Sequence, residues 1–254
     1  MHLNAYNRDN VLKIESGPFA GFSKELFRFL KDLEKNNSVE WFHNNRDRYQ
    51  EYLVEPAKAF VTEMAPFFSR LNPSVRTEPK FNKTLMRINK DMRFAKGEPY
   101  RNYFLIHFGR FKLDSEFFIY FEADKVQMGL FLNRSNGENL IFRQNLLKYK
   151  KEIISLFDKY DLNNRFSFDY FRKSETVQAA AKFNADKHMD LFEKHDMIIL
   201  HKAKKPSLKI LASAAIVVEM INMISSLYPL YCFAISPNPL AELQKFEDNF
   251  GMVT

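Results

Sequence analysis

The sequence predicts an α+β protein in which N-terminal helices pack on an antiparallel sheet of about four strands, with further helices C-terminal to it. Three observations carry that expectation. Apolar residues recur at spacings of three and four from Phe22 to Phe68, at a spacing near two from Lys83 to Leu132, and at helical spacing again from Glu138. Helices, then strands, then helices is not the alternation from which parallel doubly wound sheets are built. Only 7 Gly and 10 Pro occur in 254 residues, too few turn-formers for a sandwich of many short strands.

The elements follow in order. Residues 1–20 are polar and broken at Ser16-Gly17-Pro18, which predicts a short extended lead to one α+β domain spanning 1–254. Ser23 is placed to cap a helix carrying Leu26, Phe27, Leu30 and Leu33 on one face, closed by Asn36-Asn37. Ser38 caps a second, with Trp41, Phe42, Tyr49, Tyr52 and Leu53 inward, and a lone Trp on such a helix reads as core. Pro56, tolerated only in a first turn, starts a third with Phe60, Met64, Phe67 and Phe68. A meander is then expected: Thr84–Asn89, Phe104–Phe108, Phe117–Phe121 and Val126–Leu132, closed by Ser135-Asn136-Gly137. Helix returns from Glu138 through Phe157. Residues 163–186 are aromatic and mixed and suggest no clear element. Ile198-Ile199-Leu200 is a brief possible strand, Ser207 to Leu227 an apolar helix, and Pro239 to Phe250 a short terminal one.

Composition narrows the class. With 46% hydrophobic and 27% charged residues the chain has enough apolar surface to fold. A single cysteine, Cys232, forms no internal disulfide and no zinc spacing, and the N-terminus lacks a basic start followed by an apolar run, so the cytoplasm is the expected compartment. Leu208 to Ile235 is interrupted by Glu219, Asn222, Ser225, Ser226 and Pro229, and reads as a buried helix rather than a membrane span. The net charge of +7 is concentrated: residues 80–112 hold nine Lys and Arg against Asp91 and Glu98, so the rest of the chain sums to zero. Such clustering marks an anion-facing surface.

Two clusters carry a resemblance. Asn36-Asn37-Ser38-Val39-Glu40-Trp41-Phe42, followed by Arg46, Tyr49 and Pro56, resembles the NNxxEWFxxxRxxY signature of a bacterial family, domain of unknown function 2461. Arg87-Ile88-Asn89-Lys90-Asp91-Met92-Arg93-Phe94-Ala95-Lys96, then Pro99-Tyr100-Arg101, resembles its second signature, an RxxRDxRFxK run followed by PYK. Lys90 stands where that family usually has Arg, and Gly97-Glu98 replaces a longer, more basic link, making this loop shorter and less positive. The resemblance implies continuity of fold and no established reaction.

The chemistry must therefore come from the residues. Arg87, Arg93 and Arg101, helped by Arg46 and Tyr100, are the candidates for gripping a phosphate- or carboxylate-bearing ligand, since guanidinium groups bind both bidentately. Asp91 would orient that grip, or act as a base if chemistry occurs. Two other readings stay open. Asp91 pairs with Arg93 or Arg46 as a structural network, or the basic face serves a non-enzymatic module for a nucleic-acid or protein partner. An enclosed concave site favours the small ligand, and a flat or convex face favours the macromolecule. No metal, cofactor or membrane is expected: Glu40-x-x-His43 has no second such pair, and Asp186, His188, Asp190, Glu193, His195 and Asp196 follow no known ligand spacing. The chain has no phosphate loop and no nucleophile elbow.

Overall fold

The computed structural model describes residues 19–112, 114–133, 141–173 and 175–250. The expected lead as far as Pro18, the Ser135-Asn136-Gly137 turn and the first residues of the helix expected from Glu138 lie outside them.

Helix α1 (Lys24–Lys35) buries Leu26, Phe29, Leu30 and Leu33. Ser38 caps α2 (Val39–Asn44), its oxygen accepting from the Trp41 backbone N–H at 3.2 Å. Helix α3 (Arg46–Tyr49) runs through a π-helical turn, Gln50–Val54, into α4 (Glu55–Leu71), with Pro56 in the first turn. The wider turn falls just ahead of Pro56, whose missing N–H leaves an i−4 carbonyl without its helical donor. Pro56 thus resumes a continuous helical run rather than opening a detached helix.

Strands β1 (Phe104–Phe108), β2 (Glu116–Phe121) and β3 (Val126–Asn133) form the expected meander, and Glu122 N–H bonds to Lys125 O across the second turn. After α5 (Ile141–Lys148) and α6 (Lys150–Lys159) comes a hairpin of β4 (Phe166–Arg172) and β5 (Glu175–Ala180). Two short helices, α7 (Ala185–His188) and α8 (Asp190–Lys194), precede β6 (Met197–Lys202). The chain then turns through α9 (Leu208–Leu211) into α10 (Ala215–Ile235) and α11 (Pro239–Phe250).

The sheet has six strands in the order β1-β2-β3-β6-β4-β5, every pairing antiparallel, and helices both precede and follow the meander. Four strands were expected, and one of those was misplaced. Thr84–Asn89 is not a strand: it contributes only isolated bridges, Leu85 to Phe81 and to Ile106 and Asn89 to Tyr100. Its burial is not two-periodic, because Leu85 and Ile88 turn inward while Arg87 and Asn89 face solvent. The extra strands come from the mixed stretch, where Phe166 to Asp169 are buried on both faces and β5 is exposed along an edge, so neither alternates cleanly.

Cross-strand partners share a face. One face holds Phe104, Ile106, Phe108, Phe117, Ile119, Phe121, Met128, Leu130, Ile198, Leu200 and Phe168, all within the main core. Helices α4 and α10 pack on this side, and Phe68 meets Phe108 at 4.7 Å and Tyr231 meets Phe117 at 4.8 Å. Among the described residues α10 has the length and composition to cross a membrane, yet 78% of its most apolar window is buried, as in a core helix. Buried Asn145 of α5 satisfies the C-terminal end of α10 by donating to Phe233 O and Ser236 O. The other face carries His107, Glu116, Phe118, Tyr120, Gln127, Gly129, Phe131, Ile199, His201 and Asp169, and its apolar members stand outside the core cluster.

Candidate functional site

The basic segment is built on the free edge of β1. Met86 N–H bonds to Leu105 O at 3.0 Å and His107 N–H to Thr84 O at 2.9 Å, while Leu85 and Ile88 anchor the stretch in the core. Lys90 N–H to Pro99 O and Arg101 N–H to Ile88 O then close the base of a loop. Arg101 reinforces that base by donating from its guanidinium to Arg87 O at 3.1 Å and Asn89 O at 2.7 Å. Tyr100 is buried with its ring stacked on Phe42, centroids 4.3 Å apart. Asn37 clasps the Tyr100 backbone from both sides, donating to its carbonyl at 2.9 Å and accepting from its N–H at 3.0 Å.

What lies between is a projection. Gly97 adopts φ +85°, which a side chain would resist. Asp91 takes three hydrogen bonds from Arg93, one from the backbone and two from the guanidinium, and these hold its carboxyl below the usual range. Both side chains are open to solvent, Arg93 by 80%. Phe94 is 86% exposed beneath the Arg93 guanidinium, which lies 5.5 Å from its ring centroid.

The structure therefore brings Arg87, Tyr100 and Arg101 together, sends Asp91 and Arg93 to the tip, and leaves Arg46 exposed at the start of α3 with no side-chain partner in this group. Arg87 lies over Phe81 and close enough to Tyr49 to oppose, in part, the burial that pushes that phenol up. No carboxylate among the described residues pairs with Arg87, Lys90 or Lys96. The Asp91 pair is local and does not tie the loop to the helices, a task that falls to Asn37. A cleft of about 350 Å³ between α4, α10 and α11, lined by Arg70, Asn72, Tyr228, Glu242, Lys245 and Phe246, shares no residue with the basic segment. Cys232 is buried, and burial pushes its thiol up, away from nucleophilic use.

A six-stranded antiparallel sheet backed by helices, with a loop clasped to its β1 edge, makes the molecule an α+β protein. The chain belongs to the family of conserved hypothetical proteins DUF2461, whose pattern matches residues 25–233. No curated protein and no solved structure matches it. The two motifs behind the resemblance meet in space, since Asn37 of the first grips Tyr100 of the second.

Sequence reasoning passed over the polar groups on the second face of the sheet. His107 Nδ1 lies 2.7 Å from Glu116 Oε2, both side chains less than a fifth exposed. His201 Nε2 lies 3.1 Å from Asp169 Oδ2 and 3.2 Å from the Gln127 amide. Histidine at the polar positions of otherwise apolar β1 and β6 was the available signal. The partners depend on strand register, which spacing along the chain does not reveal.

Proposed function

We propose that the protein is a binding module whose basic loop docks on the phosphates of a single-stranded nucleic acid. The observation that carries this reading is the convex loop tip, with Phe94 86% exposed under the Arg93 guanidinium and Arg87, Lys90 and Lys96 unpaired behind it. A projection of this shape suits an extended partner better than a small anion, which needs a concavity to replace its water. Cations track the phosphates, and an exposed ring gives a base a face to stack on. Arg101, Tyr100 and Asn37 hold the loop in place, and Asp91 orients Arg93 rather than moving protons.

The test is fluorescence anisotropy of a labelled oligonucleotide against the protein over a series of salt concentrations. Three unpaired cations predict a log–log slope of about −2, at roughly 0.7 per phosphate neutralised on single strands. The combined Arg87→Ala, Lys90→Ala and Lys96→Ala variant should flatten that slope, whereas Phe94→Ala should weaken binding by about tenfold with the slope unchanged. Salt-independent binding, or full affinity in both variants, refutes the reading. Stabilisation by a phosphorylated metabolite and not by the oligonucleotide would return the site to the small anionic ligand.

A further inference from the structure

We propose that the second face of the sheet holds a separate site, centred on Asp169, for a small organic cation bearing a primary ammonium group. It is independent of the basic loop and of opposite charge preference.

Asp169 is 5% exposed on β4, and its two oxygens are treated differently. Oδ2 faces His201 Nε2 at 3.1 Å, while Oδ1 is buried with no hydrogen-bond partner. His201 has nothing left to give it, because Nδ1 faces Lys202 O at 3.2 Å and Nε2 already faces Oδ2, with the Gln127 amide nitrogen 3.2 Å away. Neither Lys nor Arg pairs with Asp169 among the described residues. Buried carboxylate oxygens are almost always satisfied, so this one calls for a donor that the described residues do not supply.

The surroundings indicate what kind of donor. Asp169 stands opposite Ile199 in the β4–β6 register and Ile199 stands opposite Phe131 in the β3–β6 register, so the three lie in a row across one face of the sheet. Phe171, two residues further along β4 on the same face, meets Phe131 edge-to-face at 6.0 Å. Phe131, Ile199, Phe171 and Gln127 are only half-buried, which leaves a way in from solvent. Aromatic walls with one under-satisfied carboxylate attract an organic cation twice over, through the ring quadrupoles and through the charge. The free oxygen adds a requirement for N–H, which a primary ammonium meets and a quaternary one does not.

Benzylammonium chloride is the probe, with tetramethylammonium chloride and sodium chloride at matched ionic strength as references, read by amide NMR and by thermal unfolding. Benzylammonium should raise the unfolding temperature and shift the amides of Phe131, Asp169 and Ile199, and Asp169→Asn should abolish both effects. A response equal to that of tetramethylammonium, a response that survives in Asp169→Asn, or no response at all overturns the site; in the last case Oδ1 is satisfied by water. Should Asp169→Asn fail to fold, Phe131→Ala, at a half-buried position outside the core, must weaken the benzylammonium response several-fold. An undiminished response there refutes the proposal equally. Oligonucleotide binding should be untouched by either substitution, so the fate of the basic loop is decided separately.

Discussion

Asn37→Ala removes the clasp between the N-terminal helices and the basic loop. The side chain makes three hydrogen bonds: to Tyr100 O at 2.9 Å, from Tyr100 N–H at 3.0 Å, and to Glu98 Oε2 at 3.1 Å. The last is exposed and contributes little. The other two satisfy the backbone of a residue only 6% exposed, each worth about 1 kcal/mol net, and leaving that backbone unpaired adds to the loss. A destabilisation of about 2–3 kcal/mol follows, which for a chain of this size lowers the unfolding temperature by roughly 5–10 °C. Urea unfolding followed by tryptophan fluorescence is well placed to measure it, because Trp41 is the one tryptophan and its ring packs 5.6 Å from Phe29 beside the clasp. Asn37→Asp should do no better, since a carboxylate offers no donor to Tyr100 O and faces Glu98. A loss below about 0.5 kcal/mol for alanine, or wild-type stability for aspartate, would show that Phe42 stacking alone holds the loop.

Two further outcomes are expected. Arg110 donates to both oxygens of Asp114, which is 1% exposed, and to Ile235 O, so Arg110→Met should cost about 3–5 kcal/mol by stranding a buried carboxylate, with Asp114→Asn in the same chain recovering part of it in urea titrations. At Glu247 burial pushes the carboxyl up, but hydrogen bonds from Lys159 and Tyr160 outweigh it and leave the group below its usual 4.5. Its contribution is therefore complete above that value and drains away as pH falls through the lower native one. The gap in unfolding temperature between wild type and Glu247→Gln should be widest near neutrality and close in acid.

Legibility in the sequence follows the locality of each signal. Ser38 and Pro56 mark helix starts through contacts within one turn, and Phe104-Leu105-Ile106-His107-Phe108 alternates because one side of β1 is core. Thr84–Asn89 misled because it borrows the β1 edge through scattered hydrogen bonds, which reward extended residues without imposing a two-residue period. Asp91 and Arg93 were legible as a pair since they lie two residues apart. Arg46 was drawn into the same group by motif order, whereas its exposed place on α3 is decided by helix packing. Asp169 and His201, 32 residues apart, meet only through the β4–β6 register.

The position of β6 has a consequence for how the chain is made. Met197–Lys202 is the last strand to be synthesised among the described residues, yet it lies between β3 and β4, so until it arrives the three-stranded meander and the two-stranded hairpin share no strand pairing. Both β3 and β4 then present bare hydrogen-bonding edges, the kind of surface on which chains stick to one another. Joining them brings Gly129 to His201 across a long stretch of intervening chain, a slow kind of closure. A nascent or truncated chain ending just short of Met197 carries all the aromatic residues of the sheet and lacks the seam that unites them, so the bare edges of β3 and β4 stay open to aggregation until those six residues have emerged.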